Sequence, residues 1–302
     1  QFYQPRGVAA VISPWNFPMA ICCGMTVAAL VTGNTVLVNP AGQTIGIGRL
    51  ICEMLWEAGA PEDVLQFVAG PGSIVGSALV RDPRVAIIAF TGSKAVGLNI
   101  LEAAGNIPEE QPFVKKIVCE MGGKNAIIID ASADLDEAVL GVRQSAFGYQ
   151  GQKCSAASRC YIPSSVWNAI RDEYISEVSK ITMGDPSDFT NFMSAVIDKK
   201  SFDNITGYID RAKADPGCEV ITGGGYDGSK GWFIEPTTIV TSDPMYESMV
   251  EEIFGPVLTI YLFDDDDLEG VLKLCDESSI YALTGSIFSS NEENIQTAFN
   301  TL

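Results

Sequence analysis

The residue best equipped for covalent chemistry in this sequence is Cys154, set in Gly151-Gln152-Lys153-Cys154-Ser155-Ala156. A thiolate is the strongest nucleophile a side chain supplies near neutral pH, and its surroundings decide whether it reacts. Gly151 before it and the small residues Ser155 and Ala156 after it leave room for a substrate to approach. Lys153 sets a positive charge next to the sulfur along the chain, the kind of environment in which reactive thiols occur. Taken alone, a cysteine is more often a small buried hydrophobe, so the decision rests on its context. No histidine occurs in the 302 residues. That excludes a Cys-His dyad, a Ser-His-Asp triad and histidine metal ligands within this sequence. If Cys154 attacks an electrophile, another kind of group must move the protons.

Further candidates fall at the ends of apolar segments. Gly7–Ser13 reads as a buried strand followed by Pro14-Trp15-Asn16-Phe17-Pro18, and Pro18–Val31 as a small-residue helix. Asn34–Val38 and Val64–Val68 read as strands, with an amphipathic helix over Ile45–Ala58 between them that Gly59 and Pro61 end. Ser73–Val80 is an expected helix, Val85–Phe90 a strand and Ser93–Ala104 a helix, with Thr91-Gly92-Ser93 at the junction. A helix start of that kind offers free N–H groups and a positive dipole end to a phosphate. Lys116–Glu120 is an expected strand, leading into Met121-Gly122-Gly123-Lys124. Strand-helix alternation predicts a parallel sheet covered on both faces, with ligands beyond the carboxyl ends of its strands. No GxGxxG follows any strand, so the usual dinucleotide fingerprint is absent.

Beyond residue 125 the reading continues as α/β. Ala126–Ile129, Arg159–Ile162, Cys218–Thr222, Phe233–Val240 and Val257–Phe263 are expected strands; 134–149, 165–179 and 202–214 are expected helices. Val166, Ile170, Tyr174 and Val178 form a core stripe at helical spacing. Gly223-Gly224-Gly225 reads as a flexible turn, since no lysine-threonine pair follows to make a phosphate loop. Asp264–Asp267 lacks the spacing of a calcium-binding loop and reads as a solvated turn before a helix.

The totals bound the function classes. A 47% hydrophobic chain of this length can bury a large core, in about two domains. The formal net charge of -19 argues against nucleic acid or an anionic membrane as partner. Eight cysteines without a CxxC pair fit reduced thiols in a cytosol-like compartment and argue against a zinc ribbon. No apolar run reaches the roughly 20 residues of a membrane span. The sequence starts at Gln1 and stops at Leu302 inside what reads as an unfinished helix, so a fragment is expected.

Five segments occur in order that together closely resemble the aldehyde dehydrogenase superfamily: Ser13–Pro18 (SPWNFP), Phe90–Ser93 (FTGS), Glu120–Lys124 (EMGGK), Gly151–Cys154 (GQKC) and Glu251–Pro256 (EEIFGP). More narrowly, Gln152–Arg159, Ser194–Phe202 and Lys116–Lys124 are similar to the glutamate-semialdehyde, or pyrroline-5-carboxylate, dehydrogenases of proline breakdown. The resemblance implies a Rossmann-like cofactor domain over 1–119 and an α/β catalytic domain over 120–302, both partial. It implies that Cys154 attacks an aldehyde, that Asn16 and the Cys154 N–H hold the oxyanion, that Glu120 activates water and that Lys124 positions Glu120 or relays protons. It places NAD, with NADP as the alternative, against Ser13, Trp15, Asn39, Gly92, Ser93, Glu252 and Phe254, and substrate against Ser155 and Phe147; no metal is expected.

Two departures stand out. Asn39 occupies a position where the family has lysine, and Gly42 one where many NAD-preferring members carry glutamate. The resemblance further implies a homo-oligomer when full-length, in the cytoplasm or mitochondrial matrix, and sections at both ends without which these residues are expected to be inactive or unstable. The alternatives are an aldehyde dehydrogenase for succinate semialdehyde or aliphatic aldehydes, an acyl-CoA-forming relative against which Glu120 argues, and a non-catalytic protein that keeps the fold.

Overall fold

The structure, a computed structural model, describes residues 3–302; Gln1 lies outside the described residues. The chain divides into two compact units, residues 1–122 and 123–302. The division expected after Cys119 would give Glu120 to the second unit. Glu120 is instead the last residue of the final strand of unit 1, paired in register with Thr91.

Unit 1 runs β1 (Val8–Ser13), α1 (Ala20–Val31), β2 (Thr35–Pro40), α2 (Ile45–Glu57), β3 (Leu65–Phe67), α3 (Ser77–Arg81), β4 (Val85–Thr91), α4 (Lys94–Gly105) and β5 (Lys116–Glu120). A π-helical turn over Gly72–Gly76 leads into α3, where the sequence predicts one continuous helix. The strands pair in the order β3-β2-β1-β4-β5, all parallel. Side chains alternate along β1. Ala9 and Val11 join a core with Cys22, Ile51 and Cys52 from α1 and α2, whereas Ala10 packs with Val80, Ile88 and Ile100 from the other face. That two-residue period buries both faces, which is why the strands read as unbroken apolar runs.

Unit 2 runs β6 (Asn125–Ile129), α5 (Leu135–Phe147), β7 (Ala157–Pro163), α6 (Ser164–Ser179), α7 (Lys199–Ala214), β8 (Cys218–Thr222), β9 (Tyr226–Asp227), β10 (Phe233–Ile234), β11 (Thr237–Thr241), α8 (Glu247–Val250), β12 (Val257–Phe263), α9 (Leu268–Glu277), β13 (Gly285–Phe288) and α10 (Glu292–Thr301). Its main sheet has the order β13-β6-β7-β12-β11-β8, parallel except where β8 meets β11. Ile127 and Ile129 face α5 and α6; Ala126 and Ile128 face α9 and α10. The single strand expected over Phe233–Val240 is broken at Glu235-Pro236. Proline has no N–H for a ladder, so Phe233–Ile234 forms a hairpin with β9 and only Thr237–Thr241 joins the main sheet. The triple glycine is pinned rather than flexible: Gly223 has φ 63°, an added Cβ there would stand 2.3 Å from Pro236 O, and the Gly224 N–H donates to Thr237 Oγ1.

Candidate active site

In unit 1 the candidate residues share one rim. Ser13 ends β1, Asn39 lies next to the end of β2, Gly92 and Ser93 follow β4, and Glu120 ends β5. All are carboxyl ends of neighbouring parallel strands. The order β3-β2-β1-β4-β5 also puts a topological switch point between β1 and β4, the place where open α/β sheets bind ligands. Asn16, just past β1, is buried, and Glu120 is exposed. The Gly92 N–H donates to the Glu120 carbonyl at 3.0 Å, which holds the two strand ends together. A Cβ on Gly92 would stand 2.6 Å from Cζ of Phe90, so glycine is needed to make this turn into α4. Ser93 caps α4, its hydroxyl accepting from the Val96 N–H. The rim suits a dinucleotide phosphate: a glycine turn directly ahead of a 12-residue helix leaves first-turn N–H groups available to an anion.

Asn39 is placed differently from expectation. It is 2% exposed, and its amide donates to Val68 O at 2.8 Å and to Gly70 O at 3.4 Å. Both amide hydrogens tie β2 to the loop after β3. This side chain therefore does not offer a donor to a ligand as a lysine would.

In unit 2 the candidates gather at the other end of the strands. Lys124 immediately precedes β6, Cys154 precedes β7, and Glu252 and Phe254 precede β12. These three strands are neighbours in the sheet, so three motif segments meet along its amino rim. The Gly123 N–H donates to Glu252 Oε1 at 2.9 Å. Gly123 also passes so close to the nucleophile loop that a Cβ would stand 2.5 Å from Cys154 O. Asn125 Nδ2 donates to Cys154 O at 2.6 Å and to Ala156 O at 2.9 Å, and Asn125 Oδ1 accepts from the Thr284 N–H. Asn125 thus fixes the cysteine backbone, a role the sequence reading did not assign. A buried asparagine opening an otherwise apolar strand was the available signal.

The chain reaches Cys154 through a strained turn. After α5 ends, Tyr149 (φ 60°), Gln150 (φ 58°) and Gly151 (φ 64°) lie in succession in the left-handed region. Among the described residues, the only other non-glycine residue there is Phe254 (φ 58°), on the facing loop. Left-handed backbone costs a non-glycine residue about 1 kcal/mol or more, and such strain concentrates at functional sites. Two glutamines brace the turn. Gln150 Nε2 donates to Ala195 O, and Gln152 Oε1 accepts from the Ile197 N–H. Gly151 cannot be replaced without a clash, because its Cβ would lie 2.1 Å from Gly255 O. The two loops enclose a small cavity walled by Gly123, Gly151, Lys153, Ala156, Glu252 and Phe254. Lys153 Nζ lies against Gly148, 3.2 Å from where a Cβ would be.

Lys124 is 1% exposed, and its Nζ has no hydrogen-bond partner among the described residues. Burial, reinforced by the Arg159 guanidinium and opposed by Glu252 and Glu251, brings its pKa down to about 7. Arg159 is also buried; it donates to Lys124 O at 2.9 Å and to the hydroxyls of Ser278 and Tyr161. Both residues form part of the wall of a groove of about 780 Å³ along β13 and α10. Ser155 is exposed. Phe147 is corrected from its expected place in a substrate tunnel. It is fully buried in the core with Val142, Cys160 and Tyr174, which makes it a packing residue. The described residues contain no group of three or more Cys, Asp or Glu side chains able to hold a metal ion, and no helix long and apolar enough to cross a membrane.

The aldehyde dehydrogenase family matches this chain over residues 1–302, and the chain belongs to it. More particularly, it is 45% identical over 303 residues to the mitochondrial delta-1-pyrroline-5-carboxylate dehydrogenase of Dictyostelium discoideum, covering 99% of this chain and 54% of that protein. It is 43% identical to the 1-pyrroline-5-carboxylate dehydrogenase of Geobacillus thermodenitrificans, covering 98% of this chain and 57% of the relative. The crystal structure of the Thermus 1-pyrroline-5-carboxylate dehydrogenase with bound NAD matches with a TM-score of 0.93 at 37% identity, over 98% of this chain and 56% of that one. The chain therefore spans little more than half the length of the relatives it matches.

Proposed function

We propose that this chain carries the reactive centre of a dehydrogenase that oxidises an aldehyde to a carboxylate, with L-glutamate γ-semialdehyde as substrate and NAD as cofactor. The Cys154 thiolate adds to the aldehyde carbon, forming a C–S bond and an alkoxide. The Asn16 amide and the Cys154 N–H donate to that oxygen. A nicotinamide dinucleotide, when bound, supplies the acceptor for the hydride that leaves this carbon. Glu120 takes a proton from water, whose oxygen adds to the resulting thioester carbonyl. The C–S bond then breaks, the acid departs and the thiolate is restored. Lys124, held by burial at a pKa of about 7, is suited to exchanging a proton near neutral pH. The exposed Ser155 hydroxyl is assigned to the carboxylate end of the substrate. Ser13, Trp15, Gly92 and Ser93 are assigned to the dinucleotide phosphates, and Glu252 with Phe254 to the nicotinamide ribose.

The observation that carries this reading is the bracing of Cys154: two hydrogen bonds from Asn125, a glycine at van der Waals limit and a left-handed turn all serve to place one residue. A cysteine that only filled a core would need none of these. Relatives named 1-pyrroline-5-carboxylate dehydrogenase support the choice of substrate, and the NAD-bound Thermus structure supports the cofactor. The proposal extends to a homo-oligomer of the full-length protein, in the cytoplasm or, after the Dictyostelium relative, the mitochondrial matrix.

The test compares kcat/KM for glutamate γ-semialdehyde, succinate semialdehyde and propanal by NADH formation. The expected result is a preference of about tenfold or more for the first, because a polar site penalises analogues lacking its partner. Equal values would point to a general aldehyde dehydrogenase. No turnover with any aldehyde, from protein that melts cooperatively, would favour a non-catalytic protein.

A further inference from the structure

Asn125 is the first residue of β6 and is 4% exposed. A primary amide offers two N–H donors and an acceptor oxygen, and here both donors and the oxygen are engaged by backbone. Nδ2 donates to Cys154 O at 2.6 Å and to Ala156 O at 2.9 Å, while Oδ1 accepts from the Thr284 N–H at 3.2 Å. Only one orientation of the amide works. Turned over, its oxygen would face two carbonyl oxygens and its NH2 would face an N–H. Thr284 thus decides which end of the amide meets the cysteine loop. Gly123 closes the amide in, since a Cβ there would stand 2.9 Å from Oδ1 and 3.2 Å from Nδ2.

Thr284 ends the connection between α9 and β13, residues 278–284. The other end of that connection is tied to the residue before Asn125. The buried Ser278 hydroxyl accepts from Arg159 Nη1 at 2.6 Å, and Arg159 Nε donates to Lys124 O at 2.9 Å. Between the two ties the connection is open to solvent: Ile280 is 78% exposed and Leu283 45%. It is fastened at both ends to the Lys124-Asn125 pair, one bond from the backbone of the cysteine loop.

Resting on the reading of Cys154 as a nucleophile, we propose that Asn125 is a positioning residue for the thiol addition, oriented in turn by the 278–284 connection. In that addition the sulfur's electron pair forms the C–S bond, the carbonyl π pair passes to oxygen, and water protonates that oxygen to give a thiohemiacetal. Asn125 takes no part in the bond making. By holding Cys154 O and Ala156 O it fixes the backbone from which Sγ projects, and carbonyl addition demands a reacting distance of about 3–3.5 Å with aligned orbitals. Alkylation by iodoacetamide, a small electrophile free to approach from any open side, makes no such demand.

The experiment measures, without dinucleotide, the concentration of glutamate γ-semialdehyde that halves iodoacetamide labelling of Cys154. It compares the unaltered chain with Asn125→Ala, with Asn125→Asp, which keeps the volume but sets a carboxylate oxygen against the two carbonyls, and with Ser278→Ala. Both Asn125 variants should raise that concentration by about tenfold or more, while the aldehyde-free labelling rate of Cys154 stays within about threefold. The buried Cys52 and Cys160 should still label slowly. Ser278→Ala, which loosens only the far tie, should raise it by about threefold. Unfolding would instead expose all cysteines together; if it occurs in Asn125→Ala alone, Asn125→Asp decides. Unchanged protection in a folded Asn125 variant would overturn the proposal and leave the dehydrogenase reading standing. Rapid labelling of Cys52 and Cys160 in both Asn125 variants would also overturn it, by making Asn125 a folding residue only. Protection unmoved by Ser278→Ala would overturn the part given to the connection. Absence of aldehyde protection in the unaltered chain would overturn both this proposal and the reading of Cys154.

Discussion

The two sheets present their candidate residues at opposite ends of their strands. Unit 1 uses the carboxyl ends of β1, β2, β4 and β5, where each chain segment leaves a strand and starts toward a helix. Helix starts supply donors and positive dipole without special backbone, and apart from glycine no residue of unit 1 has positive φ among those described. Unit 2 uses the amino ends of β6, β7 and β12, which the chain enters from irregular segments. No ready-made donors point there, so the site has to be built by loop geometry. The three left-handed non-glycine residues and the closest glycine approaches around Cys154 are the outcome. A binding rim comes almost free with a parallel sheet; a positioned nucleophile at the opposite rim requires strain held by the surrounding structure.

The contrast is broken most forcefully at Gly151. Gly151→Ala combines positive φ with a Cβ 2.1 Å from a backbone oxygen. It is expected to destabilise unit 2 by about 3 kcal/mol or more, whereas Gly42→Ala in unit 1, with open space and ordinary φ, should change stability by less than about 0.5 kcal/mol. Chemical denaturation of both variants checks this. Similar losses would remove the distinction between a strained loop and a permissive rim.

Lys124 sharpens the comparison through pH. In the unfolded chain its amine stays protonated to about pH 10, and burial lowers that to about 7 in the folded state. Between those values the unfolded state binds the extra proton, so folding stability attributable to this group rises with pH across the window. Lys124→Met is expected to stabilise the fold at pH 7 by on the order of 2 kcal/mol or more, and progressively less toward pH 10. Thermal melts of the two proteins at a series of pH values measure it. A difference independent of pH would mean that the amine keeps its charge in the fold.

The smallest expected effect belongs to Asn39. Asn39→Ala removes two hydrogen bonds to the loop after β3 and leaves two partly buried carbonyls short of a donor, at a cost of about 1–2 kcal/mol. Asn39→Lys should not restore it, because an ammonium cannot reproduce the amide geometry at that depth. Full stability in Asn39→Ala would return this residue to the list of candidate ligand contacts.

Much of this arrangement was legible in the sequence, for physical reasons. Apolar runs such as Val8–Ser13 and Val257–Phe263 are strands buried on two faces, so composition alone marks them. Asp134 and Ser93 announced helix starts because their side chains satisfy N–H groups that the helix cannot. Other features depend on pairings between distant segments. That Lys124, Cys154 and Glu252 stand side by side follows from β6, β7 and β12 being neighbours, which no local spacing encodes. Asn39 was expected at the cofactor because it occupies a position where the family has lysine, and only the fold reveals Val68 and Gly70 beside it. Phe147 was expected to meet substrate from the resemblance alone, yet the helix turns its ring into the core. The break at Pro236 was readable in principle, since a proline inside an expected strand removes a ladder donor.

The claim on which all of this turns is that Cys154 traps a carbonyl carbon. The most direct measurement is the rate of iodoacetamide labelling at each cysteine, followed by peptide mass spectrometry with and without glutamate γ-semialdehyde. Buried Cys52, Cys160 and Cys275 should label slowly throughout, with burial pushing the Cys52 thiol up to about 11 and raising the others. The aldehyde should slow labelling at Cys154 by about tenfold or more and leave the partly exposed Cys23, Cys119 and Cys218 unchanged. Labelling of Cys154 at the same rate in the presence and absence of the aldehyde would contradict the account.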